Sequence, residues 1–187
     1  MVIVGHDGRS GGDDALELGR LLARSLGDKM ALVSVLVPGA SPAVIEGVGG
    51  RVVSASSVAR GLIDVADEVG ASAVVVGSSH RGRIGRVLFG TDARHLADVA
   101  SCPVAVAPRG YAQRYAVRLA RVDVRHDGSA AGERAVDLAG RIAAAEDGDV
   151  RVLDGADAAP GDADLLILGG HDRGHAALPH AAALLMV

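Results

Sequence analysis

VIVGHDGRSGGDDALELGRLLAR, residues 2–24, joins an aliphatic run, a polar loop and an amphipathic segment. Val2–Gly5 is predicted to be a strand, because it is a short apolar run that ends at a glycine. Asp13–Leu26 is predicted to be a helix, because its apolar residues recur with helical spacing. The residues of that apolar face are Ala15, Leu18, Leu22 and Leu26. A strand followed by an amphipathic helix indicates an α/β fold.

The same pattern occurs again at residues 122–144, which read VDVRHDGSAAGERAVDLAGRIAA. His6-Asp7-Gly8 matches His126-Asp127-Gly128 without a gap, at an offset of 120. Residues 71–77 match residues 163–169 at an offset of 92, so the second copy is 28 residues shorter between these landmarks. We interpret the chain as a tandem duplication with a first domain at 1–110, a linker at 111–120 and a truncated second domain at 121–187.

Further strands and helices alternate through the first copy. The predicted strands are Met30–Val37, Arg51–Val53, Ala73–Val76 and Val104–Ala107. The predicted helices are one that starts near Val58 and ends at Gly70, and one at Asp92–Ala100. Strands that alternate with helices form parallel sheets with right-handed crossovers. The prediction is therefore an open, parallel, five-stranded, doubly wound sheet in tandem with a truncated second α/β copy.

Composition excludes several classes of protein. Aromatic residues make up 2% of the chain and the formal net charge is -4, which argues against a nucleic-acid surface. The single cysteine, Cys102, allows no intramolecular disulfide and fits a reducing compartment. No apolar stretch approaches the roughly 20 residues that span a bilayer, and the chain starts directly with a strand instead of a targeting segment. A cytoplasmic protein without a membrane partner is expected.

A candidate ligand site follows from the predicted sheet. Ligands bind open α/β sheets beyond the carboxyl ends of the strands, where the strand order reverses. Asp7 follows the first strand and Gly77 follows the fourth, so the two face each other if these strands are neighbours. Gly90-Thr91 lies where the next helix begins, and free N–H groups there suit phosphate. Alternatively, Gly77 is a turn residue and Thr91 a helix N-cap.

Asp7, the loop GSSHRGRIGRVLFGT (residues 77–91) and the ending CPVAVAPRG (residues 102–110) resemble the universal stress protein family. Nucleotide-binding members carry Gly, two residues, Gly, nine residues, then Gly and Ser or Thr. Gly77, Gly90 and Thr91 fall on that register, whereas His80 occupies the second glycine position and Gly82 follows it. The resemblance implies an adenine nucleotide alpha hydrolase-like fold and covers most of the chain.

The resemblance also implies a nucleotide site. Asp7 would contact adenosine, the Val35 backbone would contact the base, and the glycine loop would hold ribose and phosphates. His80 either narrows the phosphate site or donates to it from its imidazole. The candidate nucleotide-binding residues are Asp7, Val35, Gly77, His80, Arg81, Gly82, Gly90 and Thr91. The ligand implied is ATP, with magnesium.

A regulatory role in stress response, exercised through protein partners, is the function that the resemblance implies. No residue is an obvious general base, so at most slow ATP hydrolysis is expected. The second copy keeps Asp127 but has no Gly-Ser or Gly-Thr after Gly169, so we expect it to pair with the first copy or support a homodimer, without nucleotide. The alternative is a degenerate member that acts by protein association alone.

Two less favoured readings remain. Gly8–Leu16, GRSGGDDAL, resembles the SGGxD loop of ATP pyrophosphatases, but Gly5-His6-Asp7-Gly8-Arg9 stands between the aliphatic run and the SGG motif, and Ala15 replaces the final hydroxyl. His171, Asp172 and His175 could hold a metal, although Gly174 within the run favours a loop over the helix that this spacing requires.

Overall fold

The computed structural model describes residues 1–8, 10–39, 50–78, 90–113, 118–154, 162–170 and 183–187. The strands are β1 (Val2–Gly5), β2 (Met30–Leu36), β3 (Gly50–Ser54), β4 (Ala73–Gly77), β5 (Val104–Ala107), β6 (Arg121–His126), β7 (Asp149–Asp154), β8 (Leu165–Leu168) and β9 (Ala183–Met186). The helices are α1 (Ser10–Leu26), α2 (Val58–Val69), α3 (Thr91–Val99) and α4 (Ala130–Ala145), with a 3-10 turn at Tyr111–Gln113.

These bounds lie close to those predicted for the first copy. The strand Val104–Ala107 is confirmed without a shift, and α1 begins three residues earlier than expected, at Ser10. Gly70 ends α2 as predicted: it adopts φ 59°, and its N–H donates to the carbonyls of Ala66 and Asp67. Glycine enters this left-handed conformation without the steric penalty of a side chain. The Gly- and Pro-containing segment at residues 40–49 lies outside the described residues.

The described strands form a nine-stranded sheet in the order β3-β2-β1-β4-β5-β9-β8-β6-β7. The α/β class and a mostly parallel sheet are confirmed, since every neighbouring pair is parallel except β5 and β9. The sheet is larger than the open five-stranded sheet expected. The difference arises at β5, where antiparallel pairing with β9 satisfies backbone groups that an open edge would leave to solvent.

Helices cover both faces of the sheet. Because side chains alternate along a strand, Val2 and Val4 pack on the face of α1 and α4, whereas Ile3 packs on the face of α2 and α3. The first face forms one core from both halves of the chain, in which α1 contributes Leu18 and Leu22, and α4 contributes Ala139 and Ile142. Doubly wound packing therefore extends across the β5–β9 pair.

Described residues of the segment 111–120, predicted as a linker, contribute to this core. Tyr111 is 2% exposed and Leu119 is fully buried, and both belong to the cluster that contains α1 and α4. The buried Asp14 carboxylate of α1 accepts hydrogen bonds from the backbone N–H groups of Gly110, at 2.8 Å, and Ala112, at 2.9 Å. The first helix thus fixes the chain as it leaves β5.

A second polar contact joins α1 to the end of α4. The Glu146 side chain, 6% exposed, accepts hydrogen bonds from Arg24 Nε at 3.1 Å and Arg24 Nη2 at 3.0 Å. Ser25 Oγ lies 2.8 Å from the same carboxylate. A two-pronged guanidinium contact compensates the desolvation of a carboxylate better than a single bond does, so Glu146 can be buried between the halves.

Asp14→Ala should lower the free energy of unfolding by about 2 kcal/mol, because the N–H groups of Gly110 and Ala112, which follow β5, would lose their acceptor. Urea denaturation measures this change. Asp137→Ala, on the exposed side of α4, is the control and should leave the midpoint unchanged. Equal midpoints for Asp14→Ala and the native chain would contradict the role assigned to Asp14.

Tyr111→Phe should keep or raise the free energy of unfolding, by up to about 1 kcal/mol. The Tyr111 hydroxyl is buried and has no hydrogen-bond partner among the described residues, so its removal ends a desolvation cost. Burial raises the pKa of this phenol well above its ordinary value, and the Asp164 and Glu17 carboxylates act in the same direction. Thermal unfolding of Tyr111→Phe beside Tyr111→Leu tests this. A large loss of stability in the Phe variant would show that the hydroxyl is satisfied.

Candidate functional site

The strand order reverses between β1 and β4. From β1 the chain builds β2 and β3 to one side, and β4 and β5 lie on the other. β1 and β4 are parallel neighbours, with Val4 paired to Val75, so their carboxyl ends share one edge of the sheet. This edge is where a doubly wound sheet opens a crevice, and it brings Asp7 and Gly77 to adjacent strand ends as predicted.

The backbone that precedes Asp7 is fixed against β2. His6 N–H donates to the Val33 carbonyl at 3.0 Å, and Ser34 Oγ donates to the His6 carbonyl at 2.7 Å. Ser34 is 3% exposed, so its hydroxyl acts within the packed sheet. These two bonds extend the β1–β2 pairing by one residue and fix the backbone just before Asp7, which is exposed.

The turn after β1 is closed by an imidazole. Gly8 N–H donates to His6 Nδ1 at 2.9 Å, and Gly8 adopts φ 74°. His6 Nε2 lies 3.3 Å from Asp13 Oδ1. A neutral imidazole accepts at one nitrogen and donates at the other, so the bond from Gly8 places the His6 proton on Nε2, facing the Asp13 carboxylate.

Val35 lies near the end of β2, two residues beyond Val33, the partner of Gly5. Its side chain packs against α2 at Gly61: a Cβ atom at Gly61 would lie 2.6 Å from Val35 Cγ1. The side chain is therefore committed to the contact between sheet and helix. A ligand at this edge of the sheet could therefore contact Val35 only through its backbone, which is the contact that the family resemblance implied.

Gly77 has a structural reason to be glycine. A Cβ atom there would collide with the Gly11 carbonyl oxygen in the first turn of α1. Ser78 N–H then donates to the Ala107 carbonyl at 2.8 Å, which continues the β4–β5 pairing past Gly77. The reading of Gly77 as a packing and turn residue therefore accounts for it without a ligand.

Gly90 and Thr91 lie at the start of α3. Gly90 is the N-cap, with φ -70° and ψ 166°, and no side chain among the described residues caps the helix. In contrast, Ser57 accepts from Arg60 N–H at the start of α2, and Ser129 accepts from Gly132 N–H at the start of α4. The first N–H groups of α3, beside the exposed Thr91, are suited to an anionic ligand.

Other predicted residues lie outside the described residues. His80, Arg81 and Gly82 fall within residues 79–89, and the proposed metal ligands His171 and His175 fall within residues 171–182. In the part of the chain that the structure describes, no group of three or more His, Cys, Asp or Glu side chains could hold a metal ion. Within the same part, no helix is long and apolar enough to cross a membrane.

The turn after β1 has a counterpart after β6. Gly128 N–H donates to His126 Nδ1 at 3.2 Å, and Gly128 adopts φ 77°. The Asp127 carboxylate is engaged by residues next to it in the chain. It accepts from Ser129 N–H at 3.0 Å and from Ser129 Oγ, and it lies against Gly170. The second turn is therefore closed by its own side chains.

Two contributions to the site were missed from sequence. His6 and Ser34 hold the backbone around Asp7, and the sequence analysis gave neither a role. The repeat offered a signal for the histidine, since His6 and Gly12 recur as His126 and Gly132 at the same offset. Ser34 offered none, because a serine inside an aliphatic strand shows no partner in sequence.

Residues 49–108 match the sequence model of the universal stress protein family. Universal stress protein Rv2319c of Mycobacterium tuberculosis and universal stress protein Mb2346c of Mycobacterium bovis are each 35% identical over 97 residues. The chain is therefore similar to universal stress proteins over these residues. The matched segment covers 52% of this chain and 33% of each relative, so it spans about a third of the length of these curated relatives.

Solved structures share the fold over the whole chain. A universal stress protein from Archaeoglobus fulgidus DSM 4304 matches with a TM-score of 0.68 and 11% identity, covering 99% of this chain and 94% of that one. A functionally unknown protein from Pseudomonas aeruginosa PAO1 matches with a TM-score of 0.62 and 11% identity, covering 100% and 91%. At this identity the likeness concerns the arrangement of strands and helices.

Gly77→Ala should lower the free energy of unfolding by about 2 kcal/mol, because the new methyl group must displace the backbone of α1 at Gly11. Gly140→Ala is the matched control. No atom of the described chain beyond α4's own backbone would lie within 4 Å of its Cβ, so it should raise stability by up to about 1 kcal/mol. Chemical denaturation compares them. A Gly77→Ala variant as stable as Gly140→Ala would contradict the assigned contact.

Proposed function

We propose that the chain is a regulatory switch of the universal stress protein type that binds an adenine nucleotide, ATP with magnesium. The observation that carries the proposal is the edge at β1 and β4, where the exposed Asp7 follows β1. The next described helix after β4, α3, begins at an N-terminus that no described side chain caps. Crevices at such switch points are the usual ligand sites of doubly wound sheets.

Each part of the nucleotide has a proposed partner. Asp7 contacts the adenosine, and the Val35 backbone contacts the base. Thr91 and the first N–H groups of α3 hold phosphate oxygens, for which the positive end of the helix dipole is favourable. Asp92 in the same turn opposes this charge, so we assign His80, Arg81 and Gly82 to complete the phosphate contacts. Magnesium enters with the phosphates, as it does where nucleotides carry most of the coordination.

The proposed output is a change in protein association in response to stress. The sequence indicates no obvious general base for hydrolysis, so binding without turnover is the activity proposed. The single cysteine, Cys102, which is unpaired, agrees with a cytoplasmic location in reducing conditions.

Residues 121–187 are proposed to be the truncated second copy, after a linker at 111–120. The order β7-β6-β8-β9 repeats the order β2-β1-β4-β5, and the His-Asp-Gly turn follows the equivalent strand in each half. The two copies pair through β5 and β9 and through α1 and α4. Because Asp127 is engaged by Ser129, this copy is proposed to bind no nucleotide.

A second candidate is a member that binds no nucleotide and acts by protein association alone. The observation that favours it is Gly77. Its lack of a side chain is required by the approach of α1, so the glycine loop has a structural cause at its first position. His80 at the second glycine position points the same way.

Calorimetric titration with ATP and magnesium distinguishes the two candidates. The native chain should bind with a micromolar dissociation constant, and Asp7→Ala should weaken binding about tenfold or more through loss of a charged hydrogen-bond acceptor. Asp127→Ala, the matched change in the second copy, should leave affinity unchanged. His80→Gly is included to restore the glycine pattern.

Binding by His80→Gly alone would favour the second candidate, with His80 closing the site. No binding by either chain would overturn the nucleotide proposal. Equal losses from Asp7→Ala and Asp127→Ala would place the ligand elsewhere.

A further inference from the structure

The His6 imidazole is held on several sides although it stands in a loop. Its side chain is 7% exposed. The ring packs against Gly12 of α1, where a Cβ atom would lie 2.8 Å from His6 Cγ and Cδ2. Nδ1 accepts from Gly8 N–H, and Nε2 faces Asp13. A polar ring packed this closely has one orientation and, because Gly8 donates to it, one neutral tautomer.

These contacts fix the backbone on both sides of the exposed Asp7. On its N-terminal side, the His6 backbone is paired with Val33 and Ser34 of β2. On its C-terminal side, Gly8 N–H is tied to His6 Nδ1, and Gly8 is in the left-handed region. A residue fixed at both neighbours has few backbone conformations left to lose when a ligand binds, and such pre-organisation raises affinity.

We propose that His6 is a positioning residue of the nucleotide site, which sets the Asp7–Gly8 turn through the Nδ1 acceptor. This inference rests on the proposed function, since it concerns how the same site binds its ligand. The ring does in this loop what the side-chain oxygen of Asn does in an Asx-turn, where the side chain of one residue accepts from the N–H two residues later.

The second copy provides the same turn without a ligand to position. His126 accepts from Gly128 N–H and lies against Gly132, as His6 does with Gly8 and Gly12. Asp127 accepts hydrogen bonds from Ser129, and this copy is the one proposed to bind no nucleotide. His126 therefore serves as the matched control: its replacement disturbs an equivalent turn, and nucleotide affinity should not respond.

The test combines three substitutions with calorimetric titration of ATP and magnesium. His6→Leu keeps bulk against Gly12 and removes the acceptor, and it should raise the dissociation constant about tenfold, the value of one hydrogen bond. His6→Asn places a side-chain oxygen where it can accept from Gly8 N–H in place of Nδ1. Its dissociation constant should remain within about threefold of the native value. His126→Leu should match the native dissociation constant. Circular dichroism of each variant shows that it is folded.

Coupling to Asp7 separates positioning from general stability. In an Asp7→Ala background, His6→Leu should cost less than about twofold, since the side chain that it positions is gone. The inference would be overturned if His6→Leu bound the nucleotide as tightly as the native chain does. It would also be overturned if His6→Leu weakened binding about tenfold even in the Asp7→Ala background. Either result would leave the proposed function standing. Absence of binding by the native chain would overturn the proposed function itself, and the role of His6 with it.

Discussion

The antiparallel contact between β5 and β9 is the constraint on which the rest of the molecule depends. It pairs Val104, Ala105 and Val106 with the last strand of the chain and turns two short sheets into one of nine described strands. An open parallel sheet leaves a row of unpaired backbone groups at its edge, which invites association with other chains. Here that edge is closed within the chain, and α1 and α4 share a core above it.

The two halves contain the same turn under different constraints. In the first half, α1 reaches Gly77 at Gly11; in the second, α4 packs on Gly169 near Gly132. In each half a glycine of the helix contacts the histidine of the preceding turn, Gly12 with His6 and Gly132 with His126. In the second half, Asp127 is engaged by the Ser129 cap of α4. A capping serine at this position thus closes one turn, and the proposal places the ligand at the other.

Local pattern predicted most of the fold. The alternation of strands with helices, the end of α2 at Gly70 and the strand at Val104–Ala107 follow from residue periodicity and glycine conformation, which are properties of short segments. The junction of β5 with β9 could not be predicted in this way. Its register depends on a pairing between segments about 80 residues apart, and an aliphatic run such as Ala183–Met186 carries no mark of its partner. The burial of Tyr111 and Leu119 was hidden for the same reason.

The candidate site was predicted in part. Asp7 and Gly77 lie at neighbouring strand ends because the position of the switch point follows from topology. The cause of the glycine at residue 77 is a contact with α1 that only three-dimensional packing reveals. The nucleotide roles of all eight candidate residues stay predictions, and so do the domain boundaries.

Amide chemical-shift mapping of the ¹⁵N-labelled chain during titration with ATP and magnesium would test the proposed nucleotide site. We expect saturable shifts at Asp7, Gly8, Val35 and Thr91, with the amides of Asp127 and Gly170 unmoved. Shifts concentrated around Asp127, or a spectrum unchanged by excess nucleotide, would contradict it.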